Sequence, residues 1–224
     1  MIFLDLDGTL SDPAPGILGA VVHALTGLGV PVPPERDLTW VIGPPLLDSF
    51  ATLGAPDPLL ALEIYRARYG ETGLLGCKVY DGIPAVLQTL RSAGHRLCLM
   101  TAKPHVYATR ITAHFGLDVH LAHQFGPELD GTRNDKAELL AHALSVCKTP
   151  AHEAVMIGDR HHDIDAALAN GMRSIAVRWG YGTQDEHVSA DAICDHPADI
   201  PAAVAKLSNP GGHAQSAETR TTAS

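Results

Sequence analysis

Asp5 and Asp7 stand two residues apart at the end of an apolar run, Ile2-Phe3-Leu4-Asp5-Leu6-Asp7-Gly8-Thr9-Leu10. In a β-strand, side chains at i and i+2 leave from the same face, roughly 6.6 Å apart along the strand. Gly8 permits a sharp turn directly after them. Carboxylates crowded to about 4 Å repel by ~4 kcal/mol at an effective dielectric of about 20. A hard divalent cation with oxygen ligands is the usual means of offsetting that repulsion.

Other residues of matching chemistry end later apolar runs. Leu97-Cys98-Leu99-Met100 is followed by Thr101, Ala102 and Lys103, and Ala154-Val155-Met156-Ile157 by Gly158-Asp159, with Asp163 four residues on. Lys136 precedes a helical pattern lying between those two runs. Open parallel sheets bind ligands at the carboxyl ends of their strands. Such a sheet would gather two carboxylate pairs, a hydroxyl and an ammonium at one edge. That set suits phosphoryl transfer: a carboxylate attacks phosphorus, and a second carboxyl protonates the leaving oxygen and then activates water. Magnesium would offset the anionic charge, while lysine, hydroxyl and amide donors hold the phosphate oxygens.

The elements that must position these residues follow from periodicity. Residues 2–6 read as a buried strand. Ile17, Leu18, Val21, Val22, Leu25 and Leu28 repeat at three- and four-residue spacing and predict a helix from Pro13 onward. A second helix is expected after Pro34, with Leu38, Val41 and Ile42 inward, and further helices at 46–53 and 57–69. Beyond 78 the rhythm becomes strand and helix in alternation: helix 84–93, strand 97–100, helix 104–115, a weak strand at 119–122, helix 135–147, strand 154–157, helix 163–170 and strand 174–177. Short apolar runs joined by helices mean crossover connections and a parallel sheet covered on both faces. The fold class is α/β, with a strand-free helical block at 14–78. The stretch after 209 lacks large apolar residues and reads as a disordered tail.

Composition narrows the function. Of 224 residues, 46% are hydrophobic and 18% charged, as in a soluble globular protein. The net charge of −9, from 25 acidic and 16 basic residues, argues against nucleic-acid polymers as partners. Cys77, Cys98, Cys147 and Cys194 form no Cys-X-X-Cys pair and read as free thiols of a reducing compartment. No apolar run approaches a membrane span, and Asp5 falls where a signal peptide would be apolar. The cytoplasm is the expected location.

With Asp5-Leu6-Asp7-Gly8-Thr9, Thr101, Lys136 and Gly158-Asp159-Arg160-His161-His162-Asp163 in that order, the chain resembles the haloacid dehalogenase-like hydrolase superfamily. The resemblance implies a Rossmann-like core at 1–13 and 79–208 with a small α-helical cap at 14–78. It implies Asp5 as nucleophile and Asp7 as general acid/base. Mg²⁺ would be held by Asp5, the Asp7 carbonyl and Asp159, with Asp163 either a further ligand or a support behind the ligands, and phosphate by Thr101, the Ala102 amide and Lys136. Ile42-Gly43-Pro44-Pro45-Leu46 and Leu129-Asp130-Gly131-Thr132-Arg133 are similar to the phosphoglycolate phosphatase and bacterial 5′-nucleotidase-like group. The expected activity is hydrolysis of a small phosphomonoester, phosphoglycolate first, with nucleoside 5′-monophosphates or a sugar phosphomutase reaction as alternatives. Asp7 counts against a dehalogenase, and the helical block counts against a phosphoryl-accepting receiver module.

Several residues carry a plainer reading beside a functional one. Arg133 is either a surface residue or a contact to phosphate. Arg160 pairs with a nearby acid or serves the site. Lys103, judged alone, is expected in solvent. His161 and His162, adjacent in sequence, are expected to point apart and to form no zinc site. Trp40 and Trp179 read as packing residues. The Gly43-Pro44-Pro45 turn is expected to overhang the site and act in substrate selection.

Overall fold

A computed structural model describes residues 1–34 and 37–208 of the protein. Among these, six strands form one parallel sheet: β1 (Ile2–Leu4), β4 (Leu97–Met100), β5 (Leu121–Phe125), β6 (Val155–Gly158), β7 (Arg173–Val177) and β8 (Ala192–Cys194). Their order is β5-β4-β1-β6-β7-β8, which puts the first strand in chain order at the centre. Every residue of β1, β4 and β6 is buried, as their uninterrupted apolar sequences require.

The period of two divides the core. Ile2 and Leu4 face a cluster containing α4 (Ile83–Ser92), α5 (His105–His114) and α8 (Ile200–Ser208). Phe3 faces the opposite cluster, with Met100, Met156, α6 (Lys136–Cys147) and α7 (His161–Ala169). Asp135 caps α6 by accepting a hydrogen bond from the Glu138 amide at 2.8 Å, fixing Lys136 at the first turn.

The helical block leaves and returns through a short antiparallel ribbon, β2 (Ser11–Asp12) against β3 (Lys78–Val79). Between them α1 (Ala14–Gly27) packs on α3 (Pro58–Arg68), and α2 (Leu46–Thr52) also packs on α3. Asp57 caps α3 through the Leu59 and Leu60 amides, and Pro58 supplies a preset first turn. Gly16 and Gly73 bring α1 and the turn after α3 into backbone contact, since a Cβ on Gly16 would meet the Gly73 oxygen at 2.0 Å.

Several expectations are adjusted. The strand read at 2–6 closes at Leu4; Asp5 keeps one bond to the neighbouring strand and the chain turns away from Leu6 onward. Among the described residues, the helix expected after Pro34 is a 3₁₀ turn at Thr39–Val41; Leu38, Val41 and Ile42 are nevertheless buried, and Pro44 and Pro45 stop extension. The weak strand at 119–122 lies two to three residues later, after a 3₁₀ turn at Asp118–His120. The ribbon, β8 and α8 were not foreseen. The tail read at 209–224 lies outside the described residues. No helix among the described residues is long and apolar enough to cross a membrane. The four cysteines are buried and free.

Candidate active site

The sheet register sets the site. Leu4 pairs with Leu99 on one side and Ile157 on the other, and the Asp5 amide donates to the Ile157 oxygen at 2.9 Å. Asp5, Thr101 and Asp159 therefore emerge just past the carboxyl ends of three adjacent strands. Gly8 holds the turn at φ +83°, a region open to glycine. A side chain there would also collide with Asp159, whose Oδ2 would lie 2.2 Å from a Cβ.

Asp5, Asp159 and Asp163 are buried, and one carboxylate oxygen from each lies within 4.8 Å of the others. Lys136 reaches in from α6, with Nζ 3.1 Å from Asp5 Oδ1 and 2.5 Å from Asp163 Oδ1. Both contacts are ionic, and neither oxygen gains an aligned hydrogen bond. Three ionised carboxylates against one ammonium leave a formal charge of −2. Burial, then the Asp163 and Asp5 charges, push Asp159 up to about 8. Burial likewise lifts Asp163 to about 6, with Lys136 pulling against it and Asp5 adding to it. Burial alone depresses Lys136, but its two aspartate partners reverse that and raise it. The cluster thus carries excess negative charge on hard oxygen donors, which suits a divalent cation such as Mg²⁺.

Asp159 is held by its neighbours. Tyr181 donates its amide to Oδ2 at 2.7 Å, and Thr9 Oγ1 donates to Oδ1 at 3.4 Å. Asp163 sits in the first turn of α7 and accepts the Arg160 amide at 3.1 Å, a favourable place for an anion.

Asp7 faces a different partner. Lys103 Nζ lies 2.9 Å from its Oδ1 and 2.6 Å from its Oδ2, and donates to the Tyr69 hydroxyl at 2.8 Å. Tyr69 opens the π-helical turn Tyr69–Gly73, stacks on Tyr65 with centroids 5.3 Å apart and meets Tyr107 edge-on. Burial raises Asp7, although Lys103 opposes the shift. Burial also pushes the Tyr69 phenol to about 12.

The expectation for Lys103 is therefore corrected. It is 8% exposed, because Asp7 and Tyr69 satisfy its ammonium away from water. The signal was its position two residues past Thr101. Thr101 is 1% exposed, its amide bonds the Phe125 oxygen, and its hydroxyl accepts from the Lys103 amide at 3.2 Å. Ala102 is exposed. Arg133 is exposed in the loop after β5, with φ 61°, and among the described residues it forms no ion pair with the acid cluster.

Arg160 pairs with Glu186 at 2.9 Å and donates to the Ile42 oxygen at 2.7 Å, joining the second acidic motif to the helical block. The adjacent Gly43 leaves room for that guanidinium. His161 and His162 do not point apart: their ring centroids are 3.8 Å from one another, with His161 Nδ1 2.9 Å from Glu186. Neither histidine belongs to a metal-type cluster among the described residues. Trp179 packs as expected and donates to the Thr9 oxygen, whereas Trp40 is 42% exposed.

Comparison with known proteins agrees with this arrangement. Residues 2–177 match the family described as haloacid dehalogenase-like hydrolase. A 5′-nucleotidase of Pseudomonas aeruginosa is 44% identical over 188 residues, 83% of this chain and 85% of that protein. The tyrosine-protein kinase PtkA of Mycobacterium tuberculosis is 41% identical over 187 residues, 83% of this chain; the match spans 64% of the mycobacterial protein. A phosphoglycolate phosphatase of Cupriavidus necator is 32% identical over 211 residues, 90% of this chain and 91% of that one. Among solved structures, a predicted phosphatase from Clostridium acetobutylicum superposes with a TM-score of 0.85 at 32% identity, over 92% of this chain and 97% of its own. The chain belongs to the haloacid dehalogenase-like hydrolase family. Within that family it is a phosphoric monoester hydrolase.

Proposed function

We propose that the protein is a Mg²⁺-dependent phosphatase that hydrolyses small phosphomonoesters through an aspartyl-phosphate on Asp5. The observation that carries this reading is the convergence of Asp5, Asp159 and Asp163 around Lys136 at the strand ends. Asp5, Asp159 and Asp163, with the Asp7 carbonyl, would hold the cation. Bound there, Mg²⁺ would neutralise charge between the anionic nucleophile and the anionic substrate.

The chain's own residues divide the remaining work. The Asp5 carboxylate attacks phosphorus as the ester oxygen departs. Asp7 gives that oxygen a proton, then takes one from the water that cleaves the acyl phosphate. Lys136, the Thr101 hydroxyl and the Ala102 amide hold the phosphate oxygens. Arg133 is left outside this set, since its exposure offers no support for a phosphate contact.

Residues 14–78 act as a cap over a core formed by 1–13 and 79–208. Contacts from Lys103 to Tyr69 and from Arg160 to Ile42 support that division by crossing between the two parts. A cap that closes on the site excludes water and selects compact substrates. Phosphoglycolate is one such substrate class. Nucleoside 5′-monophosphates are the second, favoured by the 44% identity to a protein named for that activity. Free buried cysteines suit a cytoplasmic location.

The test is phosphate release from phosphoglycolate, nucleoside 5′-monophosphates and sugar phosphates, with Mg²⁺ and after chelation. Mg²⁺-dependent release from at least one class is expected. Release undiminished by chelation sinks the cation reading, and failure across the panel sinks the substrate reading.

A further inference from the structure

We propose that His187 is a positioning residue for Asp159, fixing that residue's main chain so that its carboxylate meets Asp5 and Asp163. The inference rests on the cation-binding reading above. His187 ends the 3₁₀ turn Asp185–His187, far along the chain from every motif residue, and is 1% exposed. Its Nε2 lies 2.6 Å from the Asp159 carbonyl oxygen. A carbonyl only accepts, so Nε2 carries a proton. Nδ1 is buried without a hydrogen-bond partner. Leaving a buried polar atom unsatisfied is costly, and an apolar side chain of similar volume avoids that cost. Packing alone therefore does not call for histidine here; the donor at Nε2 does.

The surrounding loop is shaped for the same purpose. A Cβ on Gly182 would fall 1.8 Å from the Asp159 oxygen and 2.6 Å from His187 Nε2. A Cβ on Gly180 would fall 2.4 Å from Asp159 Oδ2, beside the Tyr181 amide that binds that atom. Each oxygen of Asp159 thus has its own donor: His187 on the carbonyl, Tyr181 on Oδ2 and Thr9 on Oδ1. Glu186, next to His187, grips the following two residues, with Oε2 2.9 Å from Arg160 Nε and 3.0 Å from the His161 amide. Two successive residues of one turn clamp three successive residues of the second acidic motif. His187 touches main chain and not carboxylate, so it acts through Asp159.

Partners that orient metal ligands are typically worth about 10–100-fold in metal affinity. The experiment compares the full chain with His187→Leu, which removes the donor at similar volume, and His187→Gln, which restores an amide donor. Mg²⁺ binding is measured by calorimetry without substrate, alongside the Mg²⁺ dependence of phosphate release. His187→Leu is expected to weaken Mg²⁺ binding about tenfold or more, with kcat at saturating Mg²⁺ within about threefold of wild type. His187→Gln recovers most of the affinity. If His187→Leu does not fold, His187→Asn, polar but too short to reach the carbonyl, replaces it. A folded His187→Leu or His187→Asn with wild-type Mg²⁺ affinity overturns the proposal. A loss that glutamine fails to restore also overturns it, because that marks packing and not the donor. A wild-type chain that binds no Mg²⁺ defeats the cation reading itself and this proposal with it.

Discussion

Lys136 and Lys103 are both buried ammonium groups paired with aspartates at the exit of β1, yet they are tied to different regions. Lys136 bridges Asp5 and Asp163, so all its partners belong to the sheet and its helices. Lys103 joins Asp7 to the Tyr69 hydroxyl, which belongs to the helical block. On the reading proposed above, the phosphate side of the site lies within the sheet region. The leaving-group side would be shared, so a shift of the helical block would move a partner of Asp7, the proposed acid.

The largest effect expected is that of Asp5→Asn, which removes the proposed nucleophile. Phosphate release should fall about 10⁴-fold or more for every substrate, with an unchanged circular dichroism spectrum. Residual turnover near the wild-type rate would assign the nucleophile elsewhere.

The comparison itself is tested by replacing each lysine with methionine. Lys136→Met should lower kcat about 10²–10³-fold for alkyl and aryl phosphates alike, because it removes a donor to the phosphate. Lys103→Met should cost about 10²-fold for an alkyl phosphate and far less for an aryl phosphate whose leaving group needs no proton. Equal losses on both substrates from Lys103→Met would erase the distinction between the two sides.

The smallest effect concerns the seam between the regions. Glu186 is itself opposed by burial, but Arg160 and His161 hold it at about 2, below the usual 4.5. A depressed carboxyl stabilises the fold above its unfolded pKa and loses that contribution as pH falls toward the folded value. Glu186→Gln should therefore cost on the order of 1 kcal/mol or less at pH 7 by urea unfolding. The gap should narrow from pH 4.5 toward 2. A gap that is constant over this range would mean the ion pair is not its source.

The two regions also differed in how far the amino-acid sequence revealed them. Strands at Leu97–Met100 and Val155–Gly158 were legible because a central parallel strand, covered on both faces, must be apolar throughout. The acid cluster followed from them, since Asp5 and Asp159 simply continue two such strands. Lys103 was misjudged because its burial depends on Tyr69, 34 residues away in a π-helical turn that carries no periodic signature. His187 was silent for a similar reason: its partner is a main-chain oxygen, which has no mark in the side-chain pattern. β8 is only Ala-Ile-Cys at a sheet edge, too short to register. For α8 the signal is a short one, Ile200, Val204 and Leu207 at spacings of four and three.

The central place of β1 bears on how the protein is made. Its two neighbours, at residues 97–100 and 155–158, are translated long after residues 2–4. At about 5–20 residues per second, the first of these neighbours follows roughly 5–20 seconds after β1, and the second roughly 8–30 seconds after it. Asp5 cannot take up its final surroundings until Lys136, Asp159 and Asp163 have also been made. A chain cut before residue 155 lacks β6, Asp159 and Asp163, and leaves the apolar first strand with at most one of its two partners.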